Sequence, residues 1–179
     1  MSPKSAKRPA TYQDLLALPE HLVAEIVDGE LVATPRPAGP HTKVTSVLGV
    51  VLGPMWQGLG GPGGWLILDE PELHFGDDVL VPDLGGWRTD RMPDVPDEPF
   101  FTLAPDWVCK VLSPSTGVLD RKRKLPIYLR EGVGHVWLVD PQKKCSRCCG
   151  MRGGTGRSSG RTRKRSGCGR SPSRRWSST

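Results

Sequence analysis

Two acids and two lysines could do chemistry together, and one of them, Lys110, stands inside an otherwise apolar run. Glu25 lies inside the alternating run "LVAEIVDGELVATP", Asp83 follows Pro82 in "DDVLVPDLGGW", Lys110 sits within "APDWVCKVLSPST", and Lys124 closes the basic run of "DRKRKLPIY". Two acids and a lysine suit phosphodiester hydrolysis. A hard cation such as magnesium prefers carboxylates and waters, and it offsets charge developing on the phosphate. A lysine can hold a phosphate oxygen or help orient the attacking water, a role favoured by a lowered pKa in a partly buried site. Lys110 is the anomaly. Its neighbours Trp107, Val108, Cys109, Val111 and Leu112 read as a strand covered on both faces. Its ammonium must therefore snorkel, find a carboxylate, or stand where another residue would normally be.

The elements that must carry these residues follow from periodicity and turn chemistry. Thr11 caps a short first helix through Leu15, Leu16 and Leu18, which Pro19 stops. Asp28-Gly29 is a two-residue hairpin signal, so Val23 to Val27 and Glu30 to Thr34 pair as antiparallel strands with Glu25 on the first. "HTKVTSVLGVVLGPMW" places Val44, Val47, Leu48, Val51 and Leu52 at helical spacing and runs to the glycines from Gly58 to Gly64. "WLILDEPELHF" and "DDVLVPDLGGW" read as two strand regions, with Asp83 near the middle of the second. After the Lys110 strand, Leu125, Tyr128 and Leu129 are at helical spacing, and Pro126 sets the helix start at about 124–126 or kinks it there. The strand "HVWLVD" closes a mixed α/β domain around a central sheet.

Charge is segregated along the 179 residues. Residues 1–142 hold all 19 acids against 13 of the 25 Lys and Arg, a net of −6, whereas residues 143–179 hold the other 12 and no acid. That last stretch also lacks Val, Ile, Leu and Ala, so it cannot build a core and is expected to be disordered. Its Arg, Gly, Ser and Cys content is what GC-rich DNA gives when read out of frame, which points to a frameshift near Pro141 to Lys144. Its 12 positive charges would bind phosphates without sequence preference. Residues 1–9 are expected to be disordered and 10–142 to form the domain. No apolar run approaches the roughly 20 residues that span a bilayer, and the N-terminus lacks the apolar stretch of a secretion signal, so a cytoplasmic protein is expected.

"TYQDLLALPEHLVAEIVDGELVATPRP", "VLVPDLGGW", "PDWVCKVLSPST" and "DRKRKLPIYLREGVGHVWLVDP" together resemble, in order, successive blocks of the Uma family of restriction-endonuclease-like proteins. The similarity spans about residues 10–142. It implies a PD-(D/E)xK nuclease fold: a mixed central sheet flanked by helices, preceded here by a short helix and a β-hairpin. It also implies a magnesium-dependent DNA endonuclease, with a homodimer as one possible assembly. Carried over by position, the hairpin acid matches Glu25, the Pro-Asp metal ligand matches Asp83, and the lysine moved onto the following helix matches Lys124 rather than Lys122. The strand glutamate of the family matches Lys110. That exchange alters the local charge by two units and removes a ligand, so metal binding and cleavage are expected to be impaired in this copy. The alternative is a noncatalytic protein of nuclease fold that binds nucleic acid or a partner.

Other candidates take bland readings. His41, just after Pro40, has two readings, a residue that begins the long helix near the site and a surface or capping histidine, of which the second is preferred; His74 and His135 are read as structural. Cys145, Cys148, Cys149 and Cys168 lack the paired spacing and nearby histidine of a zinc site, and Cys109 reads as a small apolar residue in a reduced compartment.

Overall fold

The computed structural model describes residues 8–56 and 60–141, together with the backbone of 147–150. The candidate zinc ligands Cys145 and Cys168, and the side chains of Cys148 and Cys149, lie outside the described residues.

Local chemistry fixes the first third of the chain. Thr11 caps α1 (Tyr12–Leu16) in a capping box with Asp14. Arg8 pairs with Asp14 at 2.7 Å. Strands β1 (Leu22–Val27) and β2 (Glu30–Pro35) pair antiparallel across Asp28 and Gly29. Both turn residues have positive φ, 51° and 75°, as a tight hairpin with right-handed strand twist requires.

Two sheets form where one was expected. The first has the order β2-β1-β5-β4 and the second β3-β6-β7-β8-β9. Here β3 is Trp65–Asp69, β4 Leu73–Phe75, β5 Asp78–Leu80, β6 Leu84–Arg88, β7 Trp107–Val111, β8 His135–Val139 and β9 Arg147–Gly150. Each of the two strand regions read from the sequence is broken so that its halves join different sheets. The first breaks at Glu70-Pro71, the second at Val81-Pro82-Asp83. Proline cannot donate to a ladder, and Glu70 takes a left-handed φ of 44° to make its turn. Asp83 therefore stands at the crossing between β5 and β6 and not in mid-strand.

The second sheet is covered on both faces. On β7, Trp107, Cys109 and Val111 pack with Val44, Leu48 and Leu52 of helix α2 (Gly39–Leu52). Val108 and Leu112 pack on the opposite face with Ile127 and Tyr128 of α4 (Leu125–Arg130). By strand alternation Lys110 shares that second face.

The apolar pattern of α2 overstates its burial. None of its residues is fully buried, and Val47, Val50 and Val51 are 53, 79 and 66% exposed. The helix covers one face of the sheet with a narrow stripe, and its other valines face outward. Among the described residues, no helix is long and apolar enough to cross a membrane.

The helix after β7 begins earlier than Pro126 suggested. It runs from α3 (Gly117–Leu119) through a π-helical turn, Asp120–Lys124, into α4. The wider turn carries the chain past Pro126, which has no N–H to give, without ending the helix.

At the other edge, β9 pairs antiparallel with β8 inside the stretch expected to lack structure. A backbone ladder needs no apolar side chains, which is why composition did not reveal it.

In β6, Gly85 makes room for its neighbours. A Cβ there would lie 2.7 Å from the Pro71 ring and 3.1 Å from the fully buried Trp87 indole, which donates to Leu103 O at 2.8 Å. Neither group can swing away. Gly85→Ala is expected to cost about 1–3 kcal/mol as overpacking, read as a lowered thermal midpoint; an unchanged midpoint would show that β6 gives way there.

Candidate functional site

Two buried charge clusters meet behind a cleft. The first joins the hairpin to the π-helical turn. Arg123 spans the hairpin tip, donating to Asp28 Oδ2 at 3.0 Å, Glu30 Oε2 at 2.5 Å and Val27 O at 2.5 Å. Asp78 adds a second tie, accepting from the Asp28 N–H at 2.7 Å and from Arg130 at 2.8 Å. With Arg123 turned outward onto the hairpin, the next residue, Lys124, is turned inward. Its ammonium pairs with Glu25 Oε2 and lies 3.2 Å from Asp120 Oδ1. Glu25, Asp120 and Lys124 are all at most 2% exposed. The other Glu25 oxygen accepts the Val81 N–H at 2.9 Å, which anchors the chain two residues before Asp83.

The second cluster centres on Asp83. Its Oδ2 accepts the Val111 N–H at 2.6 Å, and its Oδ1 lies 3.2 Å from both Lys110 Nζ and His41 Nε2. Lys110 also donates to Val81 O at 3.2 Å. Of the three readings left open for Lys110, the structure selects the carboxylate pairing. Burial pushes the Lys110 ammonium down, but the charges of Asp83, Glu25 and Asp120 outweigh it and hold the pKa above its usual value. Asp83 runs the other way. Burial pushes its carboxyl up, and the His41 hydrogen bond, the Lys110 charge and the Val111 N–H together bring it below the usual range.

Because the folded pKa of Asp83 is depressed, its ionisation contributes stability above about pH 4, the unfolded value. That contribution is lost as pH falls through the folded pKa. Thermal midpoints of Asp83→Asn are expected to fall less steeply than the native ones on the acid side of pH 4. Parallel acid limbs would mean that the Asp83 cluster does not form in solution.

Asp83, Lys110 and His41 line a cleft of about 580 Å³. Arg36 and Glu70, themselves paired at 3.3 Å, also line it, as do Ser113, Ser115, Thr116 and Arg121. Of the four predicted residues, Asp83 and Lys110 meet directly, whereas Glu25 and Lys124 form their own pair one layer deeper and do not line the cleft. Tyr128 is buried beside them, its phenol pushed well up by burial and by the charges of Glu25, Asp120 and Asp83. Its hydroxyl has no hydrogen-bond partner among the described residues.

Two contributors escaped the sequence reading. His41 comes to Asp83 because Pro40 starts α2 beside the cleft; the proline preceding it was the available signal. Asp120 precedes Lys124 by four residues, a spacing visible in "DRKRK" that was absorbed into a solvated basic face.

The residues present do not fit a magnesium ion as they stand. Such an ion requires oxygen ligands at about 2.0–2.1 Å in near-octahedral array. Asp83 Oδ1 already faces two nitrogen groups, Glu25 is committed to Lys124 and Val81, and the described residues hold no cluster of three metal-ligating side chains. An ammonium 3.2 Å from Asp83 also stands where a cation would approach, and it repels one.

A mixed five-stranded sheet covered by helices, with a second sheet that it shares strand regions with across Pro82-Asp83, makes this an α/β fold. The chain belongs to the Uma2 family, described as "Putative restriction endonuclease", whose model matches residues 9–162. The fold is similar to the crystal structure of "a putative nuclease belonging to DUF820" from Anabaena variabilis, with a TM-score of 0.61 and 24% identity over 80% of this chain and 86% of that one. No curated protein matches the chain.

Proposed function

We propose that this chain carries a DNA phosphodiester-hydrolysis site of the restriction-endonuclease type whose metal position is taken by the Lys110 ammonium, leaving this copy impaired as a nuclease. The observation that carries the reading is the Lys110–Asp83 pair at 3.2 Å. Family membership supports the reaction class, and the pair supports the impairment.

In this reading Asp83 is the metal ligand, with Glu25 fixing the chain before it through the Val81 N–H. Lys124 holds Glu25 ionised and in place. His41 reaches the same Asp83 oxygen through its Nε2 at 3.2 Å and so helps to hold the carboxylate in place.

Magnesium-dependent nicking of plasmid DNA by the native chain and by Lys110→Glu tests the reading. Equal cleavage by both would show that Lys110 does not stand in the ligand position. A homodimer belongs to the same reading, and sedimentation velocity tests it.

The same pair favours a second reading, a noncatalytic nucleic-acid-binding protein of nuclease fold. Nucleic-acid binding that survives metal chelation, without cleavage by Lys110→Glu, would select it.

A further inference from the structure

We infer that the cleft of this chain binds a phosphodiester anion without a divalent cation, through Lys110, Arg121 and the hydroxyl turn Ser113–Thr116. The inference rests on the nuclease-fold reading and departs from it in the ion required.

An ammonium has three N–H donors. Lys110 gives one to Asp83 Oδ1 and one to Val81 O, and its side chain lines the cleft, so one donor remains for a ligand there. The Asp83 carboxylate at 3.2 Å favours the charged form of the ammonium that carries it. A lysine in this position is a fixed monovalent charge that can meet a phosphate oxygen with no metal between them.

Arg121 supplies a planar donor set at the rim of the same cleft, which it lines. One of its five N–H groups goes to Gly117 O at 3.1 Å, which pins the side chain along the helix. Ser113 Oγ lies 2.9 Å from Ser115 Oγ and 2.8 Å from Thr116 Oγ1 and accepts the Thr116 N–H at 3.1 Å. That network gathers three hydroxyls at the same rim, and a hydroxyl rotor can turn to donate to an incoming oxygen.

The cleft is lined by three cations and three acids: Arg36, Lys110 and Arg121 against Glu70, Asp83 and Asp140. Glu70 is paired with Arg36 and Asp83 with Lys110, so the attraction comes from positioned donors and not from a net field. That suits a short diester contact better than a long duplex, which the net −6 of residues 1–142 opposes.

The test is a calorimetric titration of the full chain with a thymidine dinucleotide carrying one phosphodiester, in EDTA. A single diester avoids the multivalent attraction of the 12-charge tail for long DNA. Binding in EDTA is expected, weakened roughly tenfold by Lys110→Gln and by Arg121→Gln, the worth of one charge-assisted hydrogen bond. Lys122→Gln, on the same turn but not lining the cleft, should leave it unchanged. Arg121 is exposed, so its variant remains informative even if Lys110→Gln does not fold.

No binding in EDTA, a requirement for magnesium, or equal weakening by all three substitutions would overturn the inference. So would tighter binding of inorganic phosphate than of the dinucleotide. Cleavage by Lys110→Glu without EDTA binding by the native chain would remove this inference and leave the nuclease reading. Native binding with no cleavage by Lys110→Glu would do the reverse.

Discussion

Lys110→Glu is expected to turn a chain that leaves plasmid DNA intact in magnesium into one that nicks it. In the native protein Asp83 Oδ1 is neutralised by an ammonium at 3.2 Å. The substitution removes that charge and sets a second carboxylate beside the first, near the Val81 carbonyl that Lys110 now contacts. Two like charges at close range are unfavourable until a cation joins them. The variant should therefore melt lower than the native chain in EDTA and regain stability with magnesium.

An ion at 100 times its dissociation constant adds about 2.7 kcal/mol, a shift of several degrees in a domain of this size, while the native chain should not respond. This readout does not depend on catalysis. In the Lys110→Glu background, Asp83→Asn keeps the side-chain shape and should abolish both the shift and the nicking. Lys124→Ala should lower cleavage on the order of 10²-fold or more, the range for a positioned proton-transfer group or its support. Nicking that persists in Lys110→Glu/Asp83→Asn would place the chemistry elsewhere.

Lys124→Met is expected to be the most destabilising single change, at about 3–5 kcal/mol. Lys124 is 1% exposed and lies between Glu25 and Asp120, which are as deeply buried. Taking away the ammonium leaves two carboxylates facing each other in a poorly polarisable interior, with the Tyr128 hydroxyl beside them. Glu25→Gln should cost less, about 1–3 kcal/mol, because the Lys124–Asp120 pair survives and an amide oxygen can still accept the Val81 N–H.

Urea unfolding separates the two. With a slope of about 2 kcal/mol per molar, the Lys124→Met midpoint should fall by roughly 2 M and that of Glu25→Gln by roughly 1 M. A fall below about 0.5 M for Lys124→Met would mean that water reaches the ammonium.

The sequence by itself determined what local rules control. Thr11 with Asp14 capped α1, Asp28-Gly29 set the hairpin and its register, and the apolar run around Lys110 gave a strand buried on both faces. It also exposed the misfit of Lys110, because a charge inside such a run is legible without knowing its partner. The family blocks supplied Glu25, Asp83 and Lys124 as a set.

Only the tertiary structure decided how that set divides. Pro82 looked like an ordinary residue of one strand, but the chain changes sheets there, and this crossing delivers Asp83 to Lys110. Glu25 and Lys124 are 99 residues apart, and their meeting depends on Arg123 clamping the hairpin tip onto a helix whose early start the pattern did not reveal. His41 and Asp120 were missed for the same reason. Periodicity and turn residues report the path of the backbone over a few residues, whereas which charges share a buried pocket depends on how distant elements stack, and no local window contains that information.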